Sequence, residues 1–218
     1  MKTPIVVALF LLAGCARRTP PAAAPAAPAP DTLLVRLTPA LSPWLALWRY
    51  ADPEIEADSL ARGAEATFTL RDIRHFDALA PGVRPRTSQL GVWAPDSLRI
   101  VEPDTAVIVA NGFLKHVPPE SPATAVLIDL QVSSIATLDT CAACEFDGAF
   151  WDGAERFGIT GTTPPDTAGA RCGFVRYFDL TSGSVTEFRT PPVVERAWRS
   201  YVVARESARA VRMKATAP

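Results

Sequence analysis

The motif Cys141-Ala142-Ala143-Cys144 has the clearest capacity for chemistry in this chain, and Cys172 follows it in the same half. A Cys-x-x-Cys pair is reactive where it opens a helix, because the helix N-terminus lowers the thiol pKa. Here we expect the pair to lie between two strands, one ending near Leu138 and the next beginning at Glu145. This context predicts a structural disulfide between two of the three cysteines and leaves the pairing open.

Metal binding is the alternative role for these cysteines. A structural zinc site needs four ligands, and Cys141, Cys144 and Cys172 supply three. The two histidines, His75 and His116, lie far from them in the sequence. We therefore predict neither a metal nor a cofactor.

Catalysis by a nucleophile or by paired carboxylates has no sequence pattern to support it. No Gly-x-Ser-x-Gly element occurs, and we interpret both histidines as ordinary side chains rather than bases. Turns and equivalent repeat positions account for the four aspartates that would otherwise suggest a carboxylate pair or a calcium site. These aspartates are Asp96, Asp129, Asp152 and Asp179. We predict that the protein is not an enzyme; a hydrolase whose site assembles only in three dimensions is the further alternative.

Five tryptophans permit carbohydrate binding, because flat aromatic faces stack on sugar rings. Trp93 and Trp151 recur at the same place in a repeat described below, so we expect them in a core layer. Trp44, Trp48 and Trp198 are then the candidates for ligand stacking. A glycan-binding module on the cell envelope is accordingly the alternative function.

The N-terminus has the organisation of a bacterial export signal. Met1 and Lys2 give a positive start, and Ile5 to Leu12 form an uncharged apolar run too short to span a membrane. The run closes on Leu12-Ala13-Gly14-Cys15, which resembles the lipobox of bacterial lipoproteins. The resemblance implies that residues 1–14 are a signal peptide.

The same resemblance implies that Cys15 becomes a diacylated first residue, so that membrane lipid is a partner through the acyl chains. Ala16 rather than Asp follows it, which favours the periplasmic face of the outer membrane. Residues 15–31 then form a Pro/Ala-rich tether with no large apolar side chain. A polyproline II chain rises about 3.1 Å per residue, so the tether reaches roughly 45 Å from the bilayer.

The remainder of the chain is long enough for one domain or two small ones. The formal net charge of -1 argues against a nucleic-acid partner, because phosphate binding needs a strong excess of basic side chains. An envelope protein is the partner class that fits an anchored domain.

An internal repeat occupies residues 89–190. Residues 90–101 align with residues 148–159, and residues 126–138 align without gaps on residues 176–188. Alternating apolar residues separated by turn residues predict four antiparallel strands per unit. Asn111-Gly112 marks an extra hairpin inserted in the first unit.

Trp-Ala-Pro-Asp-Ser followed by Arg-Ile-Val, then Ile-Asp-Leu and a turn, resembles the blades of bacterial β-propellers. The resemblance implies two blade-like four-stranded meanders in a mainly β protein. Because two units are visible, the alternatives are part of a propeller and a small domain built from two related meanders.

Helical segments are expected on both sides of the repeat. In a mixed α/β region over residues 32–88, Thr32 to Leu37 reads as a strand and a helix is expected from Asp52 to about Ala66. Leu70 to Phe76 reads as a second helix, with a strand over ATFTL as the alternative.

Residues 191–218 read as a basic helix and tail, which contains six basic and two acidic residues from Val193 onward. One face of this helix is expected to hold Val194, Trp198, Tyr201, Ala208 and Val211. A solvated face explains the charge, and contact with anionic lipid or an acidic partner is the alternative. Together these features predict a membrane-anchored envelope lipoprotein with a β-rich interaction or structural domain.

Overall fold

A computed structural model describes residues 31–79, 85, 90–103, 106–117 and 123–216. The predicted signal peptide, Cys15 and the tether up to residue 30 lie outside the described residues.

The elements, in chain order, are α1 Thr32–Trp48, a 3₁₀ turn Ala57–Ser59, β1 Ala61–Thr67, β2 Arg71–His75, β3 Val92–Trp93, β4 Arg99–Glu102, β5 Ala106–Ala110, β6 Phe113–Val117, β7 Ala123–Asp129, β8 Ser134–Cys141, β9 Glu145–Trp151, β10 Arg156–Thr162, β11 Gly173–Asp179, β12 Ser184–Arg189 and α2 Glu195–Thr216.

Two five-stranded antiparallel sheets contain most of the strands, which confirms the mainly β prediction and its two four-stranded meanders. The first sheet has the order β9-β10-β11-β12-β1, and the second has the order β3-β4-β7-β8-β2. In each, four strands of one repeat unit are extended by a fifth strand from the N-terminal region. We call them the β9 sheet and the β3 sheet.

The two repeat units share their turn chemistry as well as their strand order. Asp129 Oδ1 accepts hydrogen bonds from the backbone amides two and three residues further on, and Asp179 Oδ1 does the same in the equivalent turn. Ser133 and Gly183 occupy matching positions there and both adopt positive φ. Such Asx turns fix the hairpin geometry locally, which is why the sequence repeat is recognisable at these positions.

The predicted insertion is a hairpin, β5–β6, whose two-residue loop is Asn111-Gly112. Both loop residues have positive φ, at 52° and 80°. This combination matches the twist of a two-residue hairpin, and Asn and Gly are the residues that adopt it at low cost.

The elements form layers. Phe146, Phe157 and Phe178 of the β9 sheet pack against Val101 and Leu127 of the β3 sheet, so the sheets meet face to face. The helices cover the other face of the β9 sheet. The β5–β6 hairpin packs on the other face of the β3 sheet. Both faces of the β9 sheet are therefore buried.

The structure corrects the N-terminal elements. Thr32 to Leu37 belongs to a helix, because Asp31 Oδ1 caps the amides of Leu33 and Leu34 and buried residues then recur at helical spacing. The helix expected from Asp52 is wrong, since this stretch holds only the 3₁₀ turn followed by β1.

The segment from Leu70 to Phe76 is strand β2 rather than a helix. Strands β1 and β2 are exposed along their whole length, so no apolar alternation marks them in the sequence. Pairing of β1 with β12 and of β2 with β8 forms them instead.

The C-terminal helix is present, but its buried face differs from the one expected. Tyr201 is fully buried, whereas Val194 and Val211 are 65% and 68% exposed. Arg205 takes an inward position with only 6% exposure. Arg205 is buried in place of the expected valines because it makes a polar contact beneath α2. This contact forms the candidate site.

Candidate functional site

Asp147 occupies a β-bulge in β9, the edge strand of its sheet. Gly148 lies opposite Thr160 and Phe146 lies opposite Gly161, which leaves Asp147 as the extra residue. Phe146 points to the core between the sheets. Because successive side chains of a strand point to opposite faces, the Asp147 side chain lies on the helical face, where it contacts both helices.

The Asp147 carboxylate joins both helices to the sheet. Its Oδ2 accepts hydrogen bonds from Trp44 Nε1 of α1 at 3.3 Å and from Thr162 Oγ1 at 3.4 Å. The Tyr201 hydroxyl of α2 also donates to Oδ2, and Arg205 Nη1 donates to Oδ1 at 2.9 Å. With a side chain only 3% exposed, Asp147 is a buried charge that four protein donors satisfy. We call these five residues the Asp147 cluster.

Ion pairs continue outward from the Asp147 cluster. Arg205 also pairs with Glu145 at 2.6 Å and with Glu206 at 3.1 Å, and Arg209 pairs with Glu206. Three carboxylates thus face two guanidinium groups. The arrangement carries one surplus negative charge.

Burial and this charge shift the pKa of the neighbouring groups. Burial and the Asp147 carboxylate raise the pKa of Tyr201 well above its usual range. Burial on its own would lower the pKa of Arg205, but Asp147 and Glu145 raise it above its ordinary value. Tyr201 is therefore a neutral donor and Arg205 a permanent cation.

A cavity of about 260 Å³ lies beside the Asp147 cluster, between α1, β9 and the segment leading into β3. We call it the Asp147 cavity. Its lining is Ala40, Pro43, Trp44, Leu47, Leu90, Gly91, Val92, Asp147, Gly148, Ala149, Phe150 and Thr160. Asp147 is its only charged lining residue among the described ones, and Trp44 and Phe150 provide aromatic rings.

A second and larger cavity, of about 610 Å³, runs along the outer side of α2. Its lining is Leu47, Tyr50, Ser200, Val203, Ala204, Ser207, Ala208 and Val211. Tyr50, Val203 and Val211 are each about two-thirds exposed. We call this apolar surface the α2 groove.

The structure separates the three tryptophans proposed for ligand stacking. Trp48 is fully buried and stacks on Tyr201 with 4.4 Å between ring centroids, so the stacking prediction is wrong for it. Trp44 is 7% exposed and lines the Asp147 cavity. Trp198 is half-buried, with the Arg171 guanidinium 4.3 Å from its ring.

Trp93 and Trp151, expected in a core layer, are half-buried beside the two sheet cores. Trp151 Nε1 donates to the carbonyl of Val92 at 2.9 Å, which links the edges of the two sheets.

The cysteines form one disulfide, between Cys141 and Cys144, whose Cα atoms are 5.4 Å apart. It closes the connection from β8 to β9 and therefore the passage from one sheet to the other. Cys172 is free and half-buried, and burial raises the pKa of its thiol.

The aspartates singled out from the sequence lie in separate turns. Asp96 Oδ1 accepts a backbone hydrogen bond from Leu98, as expected for a turn residue. Asp152 differs from that expectation, because its carboxylate binds Tyr177 and Arg36 side chains instead.

His75 ends β2 and His116 lies in β6, so the two histidines belong to different sheets. Across the part of the chain that the structure describes, no group of three or more His, Cys, Asp and Glu side chains is placed to hold a metal ion. In the same residues, no helix has the length and apolar character needed to cross a membrane.

Asp147 was not among the residues selected from the sequence. Its only signal is local, because Asp147-Gly148 interrupts an apolar strand, and a glycine inside a strand often marks a bulge. Its partners on α1 and α2 come from distant parts of the chain. Known proteins offer no further assignment, since no family model matches the chain, and neither a curated protein nor a solved structure matches it.

Proposed function

We propose that this protein is a lipid-anchored envelope protein whose β-rich domain binds another envelope protein through the α2 groove. The α2 groove is the observation that carries the binding part of the proposal. It is concave, apolar and exposed, and its lining spans about three helical turns from Ser200 to Val211. Exposed apolar surface of this kind is typical of an interaction site.

The anchoring part of the proposal rests on the sequence around Cys15. The Leu-Ala-Gly-Cys motif and the proline-rich tether precede Asp31, at which the described domain begins. Asp31 caps α1 and pairs with Arg62 of β1 at 3.0 Å. A tether that ends at Asp31 therefore connects the lipid anchor to a helix that is fixed to the sheet.

The chemistry of α2 indicates the partner. Besides Arg205 and Arg209, which pair with carboxylates around Asp147, the sequence of α2 carries four basic residues and one further acidic residue, Glu195. Arg196 is exposed one turn before Ser200, the first groove residue. A second copy would bring two such basic helices together, which is unfavourable. We therefore expect an acidic amphipathic helix, with apolar residues in the α2 groove and carboxylates along its margin.

Membrane fractionation of a Cys15→Ala variant tests the anchor. We expect the wild-type chain in the membrane fraction and the variant in the soluble periplasmic fraction. Retention of the variant in the membrane fraction would refute anchoring through Cys15.

Crosslinking in native membranes tests the α2 groove. A photoreactive residue at position 207 should crosslink to a single envelope protein, through an acidic helical segment that mass spectrometry identifies. Val203→Glu should abolish the crosslink, because a carboxylate enters the apolar surface and repels the acidic partner. Val35→Glu, at a 60% exposed valine on α1, is the matched control and should retain it. Equal crosslinking by both variants, or crosslinks to lipid alone, would refute the proposed surface.

A further inference from the structure

The Asp147 cavity has a chemical character that is independent of the proposed partner contact. Every side-chain donor identified in its wall is already in use. Trp44 Nε1 donates to Asp147, and Thr160 Oγ1 donates to the carbonyl of Gly148 at 3.3 Å. The polar side chains of the wall can therefore still accept hydrogen bonds from a ligand through their oxygen atoms.

Helix α1 has a backbone acceptor without its usual donor next to this wall. Pro39 and Pro43 both lie inside α1, and Pro43 lines the Asp147 cavity. Proline has no N–H, so Pro43 cannot donate the helical hydrogen bond to the carbonyl oxygen of Pro39. That oxygen, in the residue directly before Ala40 of the lining, lacks its usual i+4 donor.

Electrostatics favour a cation in the same place. Asp147 is the charged lining residue, and the ion pairs behind it leave one surplus negative charge among Glu145, Asp147 and Glu206. Trp44 and Phe150 contribute aromatic rings, which attract cations and pack against hydrocarbon.

Size limits the ligand. Sites for drug-sized ligands have volumes of roughly 300–1,000 Å³, so about 260 Å³ suits a smaller molecule. We propose that the Asp147 cavity binds a small organic ammonium ion, whose N–H groups donate to acceptors in the wall and whose hydrocarbon part packs on Trp44 and Phe150.

Calorimetric titration of the full-length chain in detergent, at neutral pH, tests this proposal. The probe is n-butylammonium, and 1-butanol is its neutral counterpart of the same shape. We expect saturable binding of one n-butylammonium per chain, with 1-butanol at least tenfold weaker, because only the cation is attracted by the net negative charge of the ion-pair network around Asp147. Equal binding of the two probes would overturn the assignment.

A matched pair of α1 variants locates the binding. Ala40→Leu adds bulk at an exposed position on the rim of the Asp147 cavity, and Ala46→Leu makes the same change at an exposed position of α1 outside the cavity lining. The first should weaken n-butylammonium binding at least tenfold, and the second should leave it unchanged. Unchanged binding by Ala40→Leu would overturn the proposal.

Asp147→Asn removes the charge and should abolish binding while the circular dichroism spectrum stays native. If this variant unfolds, the Ala40→Leu and Ala46→Leu pair still decides the result, because neither replaces a buried residue. A neutral sugar that binds with equal affinity and is blocked by Ala40→Leu would overturn the proposal in favour of glycan binding.

Discussion

Oδ1 of Asp147 lies 2.9 Å from Nη1 of Arg205, and this contact joins edge strand β9 to helix α2. Both side chains are less than a tenth exposed. Asp147 belongs to a β-bulge in the edge strand, and Arg205 lies on the inward face of α2, one turn from the fully buried Tyr201. The position of α2 therefore depends on a buried ion pair as well as on apolar packing.

Arg205→Leu should lower the free energy of unfolding by about 3 kcal/mol, because it leaves the Asp147 carboxylate buried without its cation. Urea denaturation measures the loss. Arg199→Leu is the control, since the Arg199 side chain is 74% exposed and its pair with Glu195 contributes at most about 1 kcal/mol. Equal losses in the two variants would show that the buried pair has no special role.

Alkaline pH should destabilise the protein through its buried tyrosines. Burial and the Asp152 carboxylate raise the pKa of Tyr177 to about 12, from 10.0 in the unfolded chain. A raised folded-state pKa stabilises the fold fully below pH 10.0, and this contribution is lost as pH rises to about 12. Tyr177→Phe should therefore flatten the fall in unfolding free energy over that window.

Chemical denaturation at several pH values measures this effect. Tyr50→Phe, at an exposed tyrosine, should leave the wild-type slope unchanged. The unfolding free energy of Tyr177→Phe should still fall somewhat with rising pH, because the pKa of Tyr201 is also raised. A Tyr177→Phe curve that superimposes on the wild type would contradict the assignment.

The disulfide should be detectable by counting thiols in the Cys15→Ala variant. Denatured without reductant, it should show a single titratable thiol, from Cys172, and three after reduction. Reduction should lower the unfolding free energy by about 2 kcal/mol, the chain-entropy value for so short a loop. Three thiols before reduction, together with an unchanged melting curve, would exclude the Cys141–Cys144 bond.

Gly173→Ala should be destabilising because a Cβ atom there would lie 2.7 Å from ring atoms of both Trp44 and Trp48. Overpacking of this kind typically costs about 1–3 kcal/mol. Gly148→Ala is the comparison, since its Cβ would meet only Thr160 Oγ1 at an ordinary 3.7 Å. In thermal unfolding, Gly173→Ala should have a clearly lower melting temperature than Gly148→Ala. The reverse order of melting temperatures would refute the packing argument.

Local signals were sufficient for the repeat region. Asn111-Gly112 predicted a hairpin, and Asp129 and Asp179 predicted equivalent turns, because each fixes backbone geometry within a few residues. The apolar spacing from Trp198 to Tyr201 likewise predicted part of a buried helical face.

Elements without a local signal were not predictable. Strands β1 and β2 consist of exposed residues, and they form because β12 and β8 offer unpaired edges. Arg205 reads as a solvated charge in sequence. It is buried because it pairs with Asp147 and Glu145, two carboxylates of β9 that lie beneath α2.

The amino-acid sequence alone predicts the β-rich class, the two related meanders, the extra hairpin and the C-terminal helix. These depend on turn residues and apolar periodicity, which act over short stretches of chain. Contacts between distant segments set which face of α2 is buried, how Trp44 and Trp48 are enclosed, and that Asp147 joins both helices to one sheet edge. Those features depend on contacts between residues more than fifty positions apart, for which one sequence carries no periodic signal.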